Sequence, residues 1–363
     1  MRIVFLLVFI IHAIIHSLGF MKAFRFAEVK QLSLDISKPQ GVFWLIATLL
    51  FIMTGVFSFL RFDKWWMVSL LAIFISQSLI FMRWSDAKYG TIINIVLLGV
   101  TIVGAATWKY HNVYLSDVKN ELSYTSKIEE SILNDGDLQG LPLLIQKYII
   151  LNRAVGKPKV RNFKIIFEGK IRKNEKSEWM PFVSEQFNFM ERSTRLFFMN
   201  ASMKNLPVAG YHAFKNGTAM MDIRLLSLFK VQYQTGKEMG ISETVTFFND
   251  MCCLAPATLI DPRIKWTLID ENKVKAVFTN NQIAISALLY FNSKGELVNF
   301  VSEDRYAIVD GTSIKRFPWS TPLSNYKVIH NRYLPGFAET IYTYPEGNFT
   351  YGTFKILDVT YNY

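Results

Sequence analysis

Cysteine is almost absent from this sequence: 363 residues hold two, Cys252 and Cys253, and they are adjacent. Neighbouring cysteines cannot staple distant segments, and a bridge between them strains the backbone. Stability must therefore come from a packed core. Metal-ligand spacing is missing too, since neither His212 nor His330 sits in an H-E-x-x-H, C-x-x-C or H-x-x-E-H context, the arrangements in which zinc is usually held. There is no G-x-S-x-G elbow and no phosphate-cradling glycine loop. Carboxylate pairs such as Glu129-Glu130 and Glu303-Asp304 are local, whereas glycoside hydrolysis needs two carboxyl groups facing each other across a cleft. No catalytic residue, metal or cofactor is expected on these grounds. A concentrated basic patch is lacking as well: of 40 Lys+Arg and 29 Asp+Glu, 9 and 4 fall before Lys109 and 31 and 25 after Trp108. A shared excess without a nucleic-acid-binding motif excludes nucleic acid as a partner and fits contact with anionic lipid headgroups.

Long apolar runs are missing from everything after Trp108, which makes the four before it conspicuous. They cover about 3–20, 41–60, 65–82 and 90–108. A bilayer crossing takes about 20 mostly apolar residues, so each block reads as a transmembrane helix. The first follows Arg2 as a signal peptide would, but it runs on to Phe20 without a small-x-small cleavage site and reads as a retained helix. Lys22, Arg25, Lys30, Lys38, Arg83 and Lys88 fall on one side of such a bundle, and Arg2, Arg61 and Lys64 on the other. Positive residues favour the cytoplasm, so both termini and the large C-terminal region are expected outside it, at the bacterial inner membrane.

Residues 109–140 read as a polar tether broken by Asn134-Asp135-Gly136-Asp137. A short helix is expected from Leu141 to Leu151, and strands dominate residues 141–363. Phe163, Ile165, Phe167 and Ile171 alternate with Lys164, Glu168, Lys170 and Arg172. Met221, Ile223, Leu225, Phe229 and Val231 read the same way as one strand. Segments 264–269, 273–279, 282–291 and 297–302 are parted by Asp270-Glu271-Asn272, Asn280-Asn281 and Asn292-Ser293-Lys294-Gly295, turn chemistry that makes a meander. Further strands fit 305–309, 313–317, 324–333, 336–344 and 348–361. One helix interrupts them, Ser242 to Leu254, with Ser242 as cap, Val245, Phe248 and Cys252 on one face and Pro256 as the stop. About ten or eleven strands in one strongly twisted antiparallel sheet are expected.

The run Glu178-Trp179-Met180-Pro181-Phe182, then Leu206-Pro207-Val208, Cys253-Leu254-Ala255-Pro256-Ala257, Phe291-Asn292-Ser293-Lys294-Gly295-Glu296-Leu297, Arg305-Tyr306, Pro318-Trp319 and Pro345-Glu346-Gly347-Asn348-Phe349 resembles an uncharacterised bacterial family, a numbered domain of unknown function. The resemblance covers about residues 140–363. His16-Ser17-Leu18-Gly19-Phe20-Met21-Lys22-Ala23-Phe24, and Ser76-Gln77 before Trp84-Ser85-Asp86, resemble the family's membrane prefix. Where the family commonly has an Arg-Tyr-Leu run with an acidic residue in the mid-domain helix, this chain has Phe247-Phe248-Asn249-Asp250. What the resemblance implies is a LolA/LolB-like half-barrel with helices plugging its mouth, a fold that holds acyl chains.

Candidate residues follow from this picture. His12 and His16 share one side of the first helix, and with Gln77 and Asn94 they should converge inside the bundle, because polar groups in a bilayer are costly unless paired. Cys252 and Cys253 read as small buried hydrophobes. The 30 Phe, 16 Tyr and 8 Trp, with runs such as Arg195-Leu196-Phe197-Phe198-Met199 that exceed strict alternation, suggest surplus apolar surface around a greasy cavity. Trp179, Phe182, Met221, Ile223, Ile285 and Phe291 are expected to line it. The expected function is binding of a hydrophobic ligand, a lipid or lipoprotein acyl chain, with membrane lipids as partners. The alternatives are an enzyme in the same cavity using Asp250, His212 or Arg305, or a functional His-containing bundle with the outer domain as a partner-binding module.

Overall fold

A computed structural model describes residues 2–309 and 313–363 and divides into two compact units, residues 1–112 with 226–228, and 113–225 with 229–363. The first unit is helical: α1 (Arg2–Ala23), α2 (Lys38–Phe59), α3 (Trp65–Met82), the single turn α4 (Trp84–Ala87) and the first part of α5 (Gly90–Thr125). Four of these helices are long and apolar enough to cross a membrane. Their surface runs opposite to that of a water-soluble bundle. Ile3, Ile11, Ile14, Phe74, Phe81, Ile92 and Ile95 are exposed, whereas His12, His16, Thr54, Ser69, Ser76, Asn94 and Thr101 are buried. Close approach is built in by glycine, since a Cβ on Gly19 would run into the Trp44 ring.

The boundary between the units falls inside α5. That helix continues to Thr125, so the first half of the stretch expected as a tether is regular helix. Its charged residues did not signal this, because a solvated helix face and a linker have the same composition.

The second unit holds α6 (Leu143–Leu151), α7 (Lys237–Leu254) and most of the strands. These are β1 (Asn162–Ile171), β2 (Met180–Phe189), β3 (Thr194–Met203), β4 (Leu206–Lys215), β5 (Thr218–Leu225), β6 (Phe229–Thr235), β7 (Ile264–Asp270), β8 (Lys273–Asn280), β9 (Ile283–Phe291) and β10 (Leu297–Ser302). They are followed by β11 (Tyr306–Val309), β12 (Ser313–Arg316), β13 (Trp319–Ser324), β14 (Lys327–Ile329), β15 (Arg332–Leu334), β16 (Phe337–Tyr344) and β17 (Gly347–Tyr361). Thirteen form one open antiparallel sheet in the order β6-β5-β4-β3-β2-β1-β17-β16-β13-β10-β9-β8-β7. The sheet is a half-barrel of two meanders that meet where β1 pairs with β17. Strand β6 is one edge and β7 the other, and α7 carries the chain from edge to edge.

Two expected strands are each two strands here. Residues 221–231 break at Leu226 and Ser227, both in the left-handed region at φ 55° and 58°, a turn without the glycine or asparagine that would mark it. Residues 324–333 break at Asn325 and again at His330 and Asn331, φ 45° and 60°, so β14 and β15 make a separate small hairpin. The helix expected from Ser242 begins at Lys237. Ser242 caps nothing; its Oγ accepts from the backbone N–H of Tyr306 at 3.0 Å.

Strand β3 explains the run that exceeds alternation. Phe197 and Met199 belong to the main core on the face that α7 covers. Leu196 and Phe198 point the other way and are buried too, beneath the end of α5: the Tyr114 ring lies 5.4 Å from Phe198, and Tyr211 donates to Asp117 at 2.6 Å. A strand covered on both faces loses the period-two signal. With α7 in place these apolar residues are packed as core.

Candidate functional site

Pairing fixes which side chains share the inner face of the sheet. Asn188 is opposite Arg195, Gln186 opposite Phe197, Phe197 opposite His212, and His212 opposite Met221. Against this row lies α7, buried without interruption from Gly240 to Leu254. A helix so enclosed would ordinarily be apolar all round. This one carries Glu243 and Asp250, seven residues apart and thus two turns along one side.

Arg195 spans that interval. Its Nε donates to Asp250 Oδ2 at 2.8 Å, Nη1 to Glu243 Oε2 at 3.1 Å and Nη2 to Gln186 Oε1 at 2.9 Å. Gln186 Nε2 and Asn188 Nδ2 donate to Asp250 Oδ2 at 2.8 and 3.1 Å. Arg305, just past β10, completes a quartet: Nη2 lies 3.8 Å from Glu243 Oε1, Nη1 donates to the Ser242 carbonyl at 3.0 Å and to Thr246 Oγ1, and Nε donates to the Tyr342 hydroxyl at 3.0 Å. Its guanidinium stacks 4.6 Å from the Trp319 ring centroid, a cation–π contact. Two guanidinium groups thus balance two carboxylates inside the half-barrel.

The electrostatics are divided. Burial by itself would raise Glu243, but Arg195 and Arg305 together hold its carboxyl below the usual range. For Asp250 burial wins over Arg195 and the Asn188 hydrogen bond, so its carboxyl is raised. Burial lowers His212 to about 4, against the pull of Glu243. Burial also pushes the Cys252 and Cys253 thiols well above their ordinary value, the opposite of what activates a nucleophile.

Of the residues singled out from sequence, Asp250 pairs with Arg195 and Arg305 with Glu243, and His212 lies within electrostatic reach of Glu243, Arg195 and Arg305. Arg195, Glu243, Gln186 and Asn188 were missed; the local hint was two acids seven apart in a stretch, Gly240 to Leu254, that is otherwise uncharged. Of the expected lining residues, Phe182, Ile285 and Phe291 are at most 4% exposed and belong to the core. Phe182 packs on Phe354 and Phe291 on Tyr148, with ring centroids 5.2 and 5.5 Å apart. Met221 and Ile223 are half-buried on the inner face of β5, beside Gly210, whose missing side chain leaves space next to Met199 and Ile223. Trp179 stands in the loop before β2 at 37% exposure with Arg172 stacked on it at 4.6 Å. A groove of about 580 Å³ opens where Pro181, Phe182 and Val183 meet Asn200, Phe337 and Lys355.

In the helical unit the four polar candidates converge. His12 Nε2 lies 3.0 Å from Asn94 Oδ1, and Asn94 Nδ2 donates to Ser76 Oγ at 2.9 Å and to Gln77 Oε1 at 3.0 Å. His16 Nδ1 lies 3.0 Å from the His12 carbonyl oxygen.

Residues 131–354 match DUF6544, a family of unknown function. The chain belongs to this family. No curated protein is significantly similar to it in sequence. Among solved structures it is similar to a LolA superfamily protein from Nitrosomonas europaea, at 9% identity and TM-score 0.37 over 60% of this chain and 92% of that one. It is also similar to a domain named for outer membrane lipoprotein sorting from Vibrio parahaemolyticus, at 10% identity and TM-score 0.38 over 60% and 91%. A DUF1329 family protein from Desulfovibrio piger follows, at 10% identity and TM-score 0.31 over 60% and 92%. These likenesses concern the fold of the sheet domain.

Proposed function

We propose that this DUF6544 protein is a membrane-anchored binder of a hydrophobic ligand, the acyl chain of a lipid or lipoprotein, and that α7 is the plug occupying the inner face of the half-barrel when no ligand is there. The observation that carries this reading is a helix buried from Gly240 to Leu254 and held by ions. A helix meant only to fill a core is held at least as well by apolar side chains, because burying an ion pair costs about as much desolvation as it returns. What an ionic hold supplies is a fixed register that can be released. Beneath the plug lie Met199, Met221, Ile223 and Gly210 on β3 to β5, an adaptable wall, since thioethers repack easily. At about 0.8 kcal/mol per CH₂ an acyl chain of ordinary length supplies on the order of 10 kcal/mol, comparable to the stability of a whole domain and enough to displace a helix.

Four lipid-compatible helices support the anchor, and the six-to-three distribution of Lys and Arg supports an inner-membrane orientation with the half-barrel outside the cytoplasm. An enzymatic reading would use Asp250, His212 and Arg305. Against it, Asp250 Oδ2 already accepts from Arg195, Gln186 and Asn188, which leaves it poorly placed as a base. Photo-crosslinking with a phospholipid bearing a diazirine at its acyl terminus tests the proposal, with adducts expected on Met199, Met221 or Ile223.

A further inference from the structure

Among the described residues of the helical unit three buried side-chain polar atoms have no partner, Nε2 of His16, Nε1 of Trp66 and Nε of Arg83, and the first is the one that can be an acceptor. His16 is 2% exposed, and its Nε2 has no partner. Its Nδ1 faces the His12 carbonyl oxygen, which can only accept, so Nδ1 carries the proton and Nε2 is a bare lone pair. An acceptor buried and unpaired costs about 1–3 kcal/mol. Hydrogen bonds between helices account for Asn94, Ser76 and Gln77, but not for this nitrogen.

His12 is in the matching state. Asn94 gives both amide protons, to Ser76 and Gln77, so its Oδ1 is the acceptor facing His12, and His12 carries its proton on Nε2. The bare nitrogen of His12 is then Nδ1. Two imidazoles one turn apart, with ring centroids separated by 4.6 Å, each hold one lone pair. Each is also oriented through its other nitrogen, by a carbonyl for His16 and an amide oxygen for His12. This is how ligating histidines are held: the ring N–H is tied to an oxygen and the opposite nitrogen is left for the metal.

The chemistry of the donors narrows the ion. Two neutral imidazoles supply no negative charge, and the nearby oxygens belong to Asn94, Gln77, Ser76 and Thr91, which are neutral as well. Hard divalent cations take oxygen ligands, commonly carboxylates. A doubly charged ion in a low-dielectric bundle also pays about four times the desolvation cost of a singly charged one, since that cost scales with the square of the charge. Imidazole suits copper. We propose that His12 and His16 form a two-nitrogen site for monovalent copper, Cu(I), inside the helical bundle. Binding to neutral rings at their bare nitrogens displaces no proton, and Asn94 serves as a positioning residue that fixes the His12 tautomer.

The test uses the full chain, carried on an affinity tag without histidine, in nanodiscs under ascorbate, with Cu(I) presented from a chromophoric chelator. One Cu(I) per chain is expected, with X-ray absorption showing nitrogen neighbours in the first shell. H12L and H16L should each weaken binding at least tenfold, as should H16Q, which keeps a polar side chain and guards against misfolding. H330L, on a surface hairpin, should bind as the wild type does. Undiminished binding in H12L and H16Q, a sulfur-only first shell, or failure of the wild-type chain to take copper from the chelator would each overturn the proposal.

Discussion

Arg195 is the residue on which the buried quartet turns, because it pairs with both buried carboxylates of α7, Glu243 and Asp250. Replacing it with methionine keeps the bulk, leaves Asp250 enclosed without its ion-pair partner and leaves Glu243 with Arg305 alone, which costs about 3–5 kcal/mol. Chemical denaturation of R195M should show that loss, and R195M combined with E243L, D250L and R305M should recover most of it, because removing all four charges removes their desolvation cost with them. His212 gives the pH dependence. Its folded value of about 4 lies below the unfolded 6.5, so the unfolded chain binds the proton first. Stability from this group is fully present above pH 6.5 and is lost as the pH falls toward 4, by up to roughly 2–3 kcal/mol. Melting temperatures measured across that window should fall, and the H212F variant should flatten the slope. At this scale sequence reasoning reached residues whose type announces chemistry, such as His12, His16, Asn94, Asp250 and Arg305. It missed Arg195 because a cation opening an apolar strand looks like a solvated end, and its partners lie 48 and 55 residues away.

Helix α7 was legible as an element but not in its surroundings. Pro256 marked its end, whereas its start at Lys237 follows Gly236 at φ 108° without a capping side chain, so no local signal gives it. The expected single apolar face was wrong because both arms of the sheet surround the helix. Its docking depends on Gly240, where a Cβ would run into the Gly217 carbonyl oxygen of the β4–β5 turn. Backbone cannot yield as a side chain can, so G240A should displace the start of α7 and cost about 1–3 kcal/mol, read as a lowered denaturation midpoint. If G240A matches the wild type, the close approach is not a constraint. The meander from β7 to β10 was readable because asparagine, aspartate and glycine mark its turns. The β5–β6 turn was not, because Leu226 and Ser227 adopt left-handed backbone without the residues that ordinarily mark it.

For the whole molecule, the division into an apolar helical part and a strand-rich part was visible in hydropathy alone, since four long runs precede Lys109 and none follows. The closure of the sheet domain was not, because it depends on β17 returning to β1 across nearly two hundred residues, a pairing that no local pattern encodes. That return sets the two edges apart and gives α7 a face to cover. The central claim is that this face is an acyl-binding surface and α7 its displaceable cover. Its most direct test is to crosslink the full chain in native-like membranes with the diazirine phospholipid and map the adducts by mass spectrometry. The account predicts adducts on the inner face of β3 to β5, increased in R195M, whose plug is loosened. Adducts confined to the four apolar helices, with the inner face unlabelled in both proteins, would contradict it.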